Sequence, residues 1–176
     1  MNRKYAAHEI NIEATQKAKA DPKYNVLLEW AAKNGVIFDD VDFPVAFGPN
    51  GVIGAAAKND IPNRTVFLAI PTKILITVTN VSNSDLAEVM DKFPKLFKID
   101  TDKDFNILTL FIYREKLKGE SSFYFPYLNA ISTSDTPFNW TEEEIAETDD
   151  PYTISHAKEF KQDMERVWNE FSQVFK

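Results

Sequence analysis

The stretch Ser121–Ile145 reads SSFYFPYLNAISTSDTPFNWTEEEI and is the most distinctive part of this 176-residue chain. It joins a run of aromatic residues to two prolines and an acidic helix start. Thr141-x-x-Glu144 matches a capping box, in which two side chains each accept a hydrogen bond from a free backbone N–H at a helix N-terminus. We therefore predict that a helix begins at Thr141. Its three glutamates, Glu142–Glu144, then complement the helix dipole rather than bind a metal.

Outward from this stretch, apolar residues recur with the helical period in four further segments. Gly35 follows the first and Gly119 the third, and each is placed to close its helix. Ser84 is a cap for the second, which Pro94 ends or kinks. We predict helices over 23–34, from Ser84 to Phe93, from Ile107 to Leu117, and from about Ser155 to the end of the chain.

Short extended segments occupy the region before residue 80. The densest turn signal, Gly48-Pro-Asn-Gly51, separates two of them, and Thr65–Ile70 is the clearest strand because it is rich in β-branched and aromatic residues. The predicted extended segments are Val36–Phe38, Val41–Val45, Val52–Ala57, Thr65–Ile70 and Ile74–Val78, with a helical turn left open for the last. The sequence thus predicts an α+β domain over 23–176, preceded by a flexible or helical lead-in over 1–22.

Composition excludes several classes of function. The net charge of −7 and the absence of a basic patch argue against a nucleic-acid partner. The chain has no cysteine, which excludes disulfides and thiolate zinc sites and suits an intracellular, cytoplasmic protein. No stretch approaches the roughly 20 apolar residues that span a bilayer, so no membrane insertion is expected. The two histidines, His8 and His156, share no metal-ligand spacing, and the acidic residues of 100–104 lack the glycine and glutamate of a calcium loop.

Four blocks of this sequence resemble, in the same order, the SET-domain protein methyltransferases related to the rubisco large-subunit lysine methyltransferase and the actin-histidine methyltransferase. They are Leu27–Phe38, Val52–Pro71, Leu108–Glu120 and Ser121–Ile145. The resemblance implies a partial SET domain, made of an N-terminal helix, short strands of the SET core and the start of the helical insertion. It also implies an ancestry in S-adenosylmethionine-dependent methyl transfer to a protein side-chain nitrogen.

The family's Asn-His pair and late catalytic Tyr lie C-terminal to these blocks, so we expect no methyl transfer by this chain alone and no catalytic residue within it. Two functions stay open. The chain is a structural or interaction subunit of a larger protein assembly, or it is the N-terminal part of a protein lysine or histidine methyltransferase that further sequence or a second chain completes. In the second case S-adenosylmethionine is the expected cofactor, whereas none is expected for this chain alone.

The resemblance also implies a cofactor-binding loop at Gly51, Ile53 and Gly54, with Val52 where the family has its first glycine. The alternative is that these glycines only turn the chain into a strand. A second candidate surface is the apolar stripe of the last helix, which packs on the chain's own core or on a protein partner. The stripe residues are Phe160, Met164, Val167, Trp168, Phe171 and Phe175. The aromatic run near Pro126 is expected to fill core or interdomain space rather than to form a cation-binding cage.

Overall fold

The computed structural model describes residues 9–131 and 136–175, and these form two compact units. Unit 1 holds residues 9–80 and 112–131, and unit 2 holds residues 81–111 and 136–175. The chain passes between the units within one short helix, within one long helix and after Ile131. The combination of helices with a small sheet is the predicted α+β class.

Helices make up most of the described residues. Their bounds are α1 Ile12–Ala20, α2 Pro22–Lys33, α3 Val78–Ser82, α4 Ala87–Lys92, α5 Lys103–Lys118, α6 Phe125–Ala130, α7 Glu142–Ala146 and α8 Pro151–Phe171. The strands are β1 Val41–Phe47 and β2 Val52–Ala57. Single 3-10 turns cover Thr72–Ile74, Gly119–Ser121, Pro137–Asn139 and Ser172–Phe175, and a π turn covers Lys95–Ile99.

The first two helices of unit 1 begin at side chains that cap them. Asn11 Oδ1 accepts the N–H of Ala14 at 3.0 Å to start α1, and Asp21 Oδ1 accepts the N–H of Lys23 at 3.0 Å to start α2. Gly35 follows α2 with φ at +87°, a left-handed conformation that glycine adopts without steric cost. The predicted helix over 23–34 is therefore confirmed, and the lead-in contributes a helix of its own.

An antiparallel hairpin forms the sheet of unit 1. Its register runs from Val41 opposite Ala57 to Phe47 opposite Val52, with an irregularity between Asp42 and Val45. Helix α1 packs on β1, and the core beneath them contains the buried side chains of Ala18, Tyr24 and Ala130. Leu27, Phe43 and Ile53 pack partly buried against that cluster. Both predicted strands of the hairpin are confirmed.

The prediction of a strand over Thr65–Ile70 is wrong for the described residues. Only Ala69 pairs, through a single bridge to Ile37 in which both backbone N–H groups donate at 3.0 Å. β-branched and aromatic residues favour a strand only when neighbouring strands pair with its backbone and cover its side chains. The described residues provide one such contact, so the segment stays irregular. Likewise Ile74 ends a 3-10 turn and Val78 begins α3, so the segment over 74–78 is not a strand either.

Unit 2 places α8 against its other elements. The rings of Phe97 and Phe171 meet edge to face at 5.6 Å, and the side chain of Ile145 in α7 is fully buried. The capping box at Thr141 and Glu144 is present, as predicted. The last helix begins at Pro151 rather than near Ser155, because Asp150 Oδ2 accepts the N–H of Thr153 and Pro suits the first helical position. Ser84 precedes a shorter helix than predicted, since α4 begins at Ala87.

Candidate functional site

The turn of the β1–β2 hairpin holds the glycines of the predicted cofactor loop. Gly48 and Gly51 have φ of +65° and +64°, and the N–H of Gly51 donates to the carbonyl of Gly48 at 3.3 Å. A Cβ on Gly51 would also lie 3.1 Å from the Cβ of Ala14. At Gly54 a Cβ would lie 3.1 Å from the ring of Phe47. Turn geometry and packing therefore account for both glycines without a ligand.

The backbone of Ile53 faces away from its partner strand. Opposite it, the N–H of Ala46 donates to Thr15 Oγ1 at 2.9 Å and the carbonyl of Ala46 accepts from the N–H of Asn11 at 2.8 Å. Both polar groups of Ala46 thus point toward α1, so Ala46 and Ile53 form a pair without mutual hydrogen bonds. The N–H and C=O of Ile53 consequently project from the outer edge of β2.

This edge is where the chain could hold a cofactor of the kind that the resemblance implies. The backbone of Ile53 offers one donor and one acceptor side by side, and neither has a partner among the described residues. The flanking Val52 and Ala55 side chains are exposed. Such an edge fits a ligand with adjacent donor and acceptor groups. The free backbone groups that support such a fit are those of Ile53, and a cofactor role for Gly51 and Gly54 stays a prediction beside their turn and packing roles.

A second feature of unit 1 is an apolar groove with a volume of about 540 Å³. Residues of α2, of the 68–76 region and of the start of α6 line it, among them Trp30, Leu68, Ile70 and the N-cap Tyr124. The rings of Trp30 and Phe123 meet at 5.4 Å, and those of Phe123 and Tyr124 meet edge to face at 5.0 Å. These rings pack on one another, although Phe123 and Tyr127 keep 51% and 41% of their surfaces exposed, so the run is not buried core within the described residues.

A buried carboxylate fixes the start of that aromatic run. Glu115 of α5 is only 4% exposed, accepts a 2.6 Å hydrogen bond from Ser122 Oγ and pairs with Lys118. Burial raises the pKa of Glu115, but the bonds from Lys118 and Ser122 lower it further than burial raises it, so the carboxyl stays ionised below its ordinary pKa. Burial together with the Glu115 charge raises the pKa of Tyr124. Sequence reasoning missed this cluster, because nothing in the spacing of Glu115 and Ser122 marks a buried ion.

Unit 2 covers part of the predicted partner stripe with its own residues. Phe160 stacks on Phe138 with ring centroids 3.8 Å apart, Phe171 is 2% exposed, and Val167 is half-buried. Met164 and Trp168 keep 37% and 49% of their surfaces exposed. The side chain of Phe175 lies outside the part that the structure describes. A partner-binding role for this stripe stays a prediction.

Neither a metal-binding cluster nor a membrane-spanning helix is found in the described ranges, 9–131 and 136–175. No group of three or more His, Cys, Asp or Glu side chains is arranged to hold a metal ion. No helix in these ranges is long and apolar enough to cross a membrane.

Comparison with known proteins confirms the family resemblance. The chain is 26% identical over 170 residues to the ribulose-1,5-bisphosphate carboxylase/oxygenase large subunit N-methyltransferase of Nicotiana tabacum. This match covers 94% of this chain and 32% of that protein. It is 29% identical over 135 residues to the actin-histidine N-methyltransferase of Mus musculus, covering 76% of this chain and 22% of that protein. No family model matches the chain.

Solved structures show the same fold. Rubisco LSMT bound to sinefungin and monomethyllysine superimposes with a TM-score of 0.67 at 24% identity, over 88% of this chain and 33% of that one. The SET domain of LSMT bound to MeLysine and AdoHcy superimposes with a TM-score of 0.59 at 22% identity, over 85% and 34%. The chain therefore has a partial SET-like fold, and it spans about a third or less of the length of these relatives, matching their N-terminal part.

Proposed function

We propose that this chain, similar as it is to the N-terminal part of SET-domain protein methyltransferases, is the N-terminal portion of a methyltransferase that acts on a protein side-chain nitrogen with S-adenosylmethionine. The observation that carries the proposal is the superposition of 88% of the chain on Rubisco LSMT. The remaining two-thirds of such a domain, in the same or another polypeptide, supplies the catalytic groups. A role as a structural or interaction subunit, which the sequence left open, has no observation of its own in support.

In this proposal the outer edge of β2 contributes to cofactor binding. The N–H and C=O of Ile53 contact the cofactor, and the bonds of Asn11 and Thr15 to Ala46 fix β1, the strand that pairs with β2. S-adenosylmethionine supplies the methyl group when bound. The contribution of this chain is to orient the cofactor, because a backbone donor and acceptor that are already fixed lose little entropy when the ligand binds. Two backbone contacts are too few for firm binding, so the isolated chain binds the cofactor weakly or not at all.

The experiment is a chimera in which this chain replaces the matching N-terminal third of the tobacco enzyme. We expect the chimera to bind S-adenosylmethionine in calorimetry and to transfer methyl groups to the rubisco large subunit. The isolated chain should do neither. The proposal fails if a chimera that is folded by circular dichroism neither binds the cofactor nor transfers methyl groups.

A pair of variants tests the β2 edge within the chimera. Ile53→Pro removes the outward N–H without breaking a ladder bond, since proline is tolerated where a strand N–H faces outward. Ile53→Val keeps the backbone and changes only the side chain. We expect cofactor affinity to fall in the proline variant and to stay within about twofold in the valine variant, a difference worth less than 0.5 kcal/mol. Equal affinities would remove Ile53 from the cofactor site.

A further inference from the structure

We draw no further inference here: the strongest candidate, the apolar groove of unit 1 beside Trp30, whose Nε1 has no hydrogen-bond partner within residues 9–131 and 136–175, carries nothing because nothing in the structure shows what covers it.

Discussion

Replacing Ser122 by alanine should destabilise unit 1, although the residue is small and lies in a turn. Ser122 Oγ donates to the buried carboxylate of Glu115 at 2.6 Å and accepts the N–H of Tyr124 at 3.0 Å. Alanine removes both bonds at once. The carboxylate and the N–H lie at a site where Ser122 is only 6% exposed, so water does not readily replace the hydroxyl.

The cost follows from the two bonds. A hydrogen bond to a charged group contributes about 1.5–3 kcal/mol and one between neutral groups about 0.5–1.5 kcal/mol. We expect the free energy of unfolding to fall by about 2–4 kcal/mol. Ser121→Ala is the matched control, because Ser121 is exposed and bonds only the carbonyl of Lys118 at 2.7 Å. Its cost should stay within about 0.5 kcal/mol, as for other surface changes.

Trp30 supplies the assay. Its ring lies 5.4 Å from that of Phe123, beside the altered turn, whereas the other two tryptophans, Trp140 and Trp168, lie in unit 2. Urea unfolding, followed by fluorescence in a Trp140→Phe/Trp168→Phe background, therefore reports on unit 1. If the Ser122→Ala and Ser121→Ala variants lose the same stability, the buried-carboxylate argument is wrong.

Acid should weaken the same interaction. The pKa of Glu115 is lower in the folded chain than its ordinary value, so the stability from its ionised form is complete above that ordinary value and is lost as pH falls through the folded-state pKa. The difference between the unaltered chain and the Glu115→Gln variant should shrink over that acidic range. A difference that is constant from pH 7 to strongly acidic pH would contradict this account.

Two further changes test local packing. Arg64 has φ of +66°, a left-handed conformation that costs a residue with a side chain about 1–2 kcal/mol. Arg64→Gly relieves this strain, but glycine has more freedom in the unfolded chain, so the free energy of unfolding should rise by about 0.5–1 kcal/mol. Thermal unfolding measures the change, and a loss of stability would contradict the prediction. Phe171→Ala should lower the free energy of unfolding of unit 2 by about 3–5 kcal/mol, because the buried ring packs on Phe97. Trp168→Ala should lower it clearly less, because that ring is half exposed. Urea unfolding followed by circular dichroism should rank the two variants in that order, and the reverse order would show that the buried face of α8 is not the one that carries Phe171.

Sequence motifs predicted those helices and turns that are stabilised by residues close to one another in the chain. The helix over 23–34, the hairpin turn at Gly48 and Gly51 and the capping box at Thr141 each depend on residues within four positions of one another. Hydrogen bonds and backbone conformation at such short range do not need the rest of the fold. The last helix begins at Pro151 rather than near Ser155 because Asp150 caps it, and this signal is local too.

Segments whose structure depends on distant neighbours behaved differently. Thr65–Ile70 has the composition of a strand, yet only Ala69 pairs, because strand formation depends on partners that the segment cannot supply. The outward direction of the Ile53 backbone likewise became clear only from the bonds that Asn11 and Thr15 make to Ala46. No pattern along the chain indicates which side of a strand is already paired.

The sequence by itself thus determined the α+β class, the positions of most helices and the likeness to the N-terminal part of SET-domain methyltransferases, since these rest on composition, period and motif. Only the tertiary structure decided which apolar residues are covered. Phe160 and Phe171 of the last helix are covered within unit 2, whereas Leu68 and Ile70 stay half exposed. Burial of an apolar side chain depends on which surfaces meet it in space, and residues far away in sequence provide those surfaces.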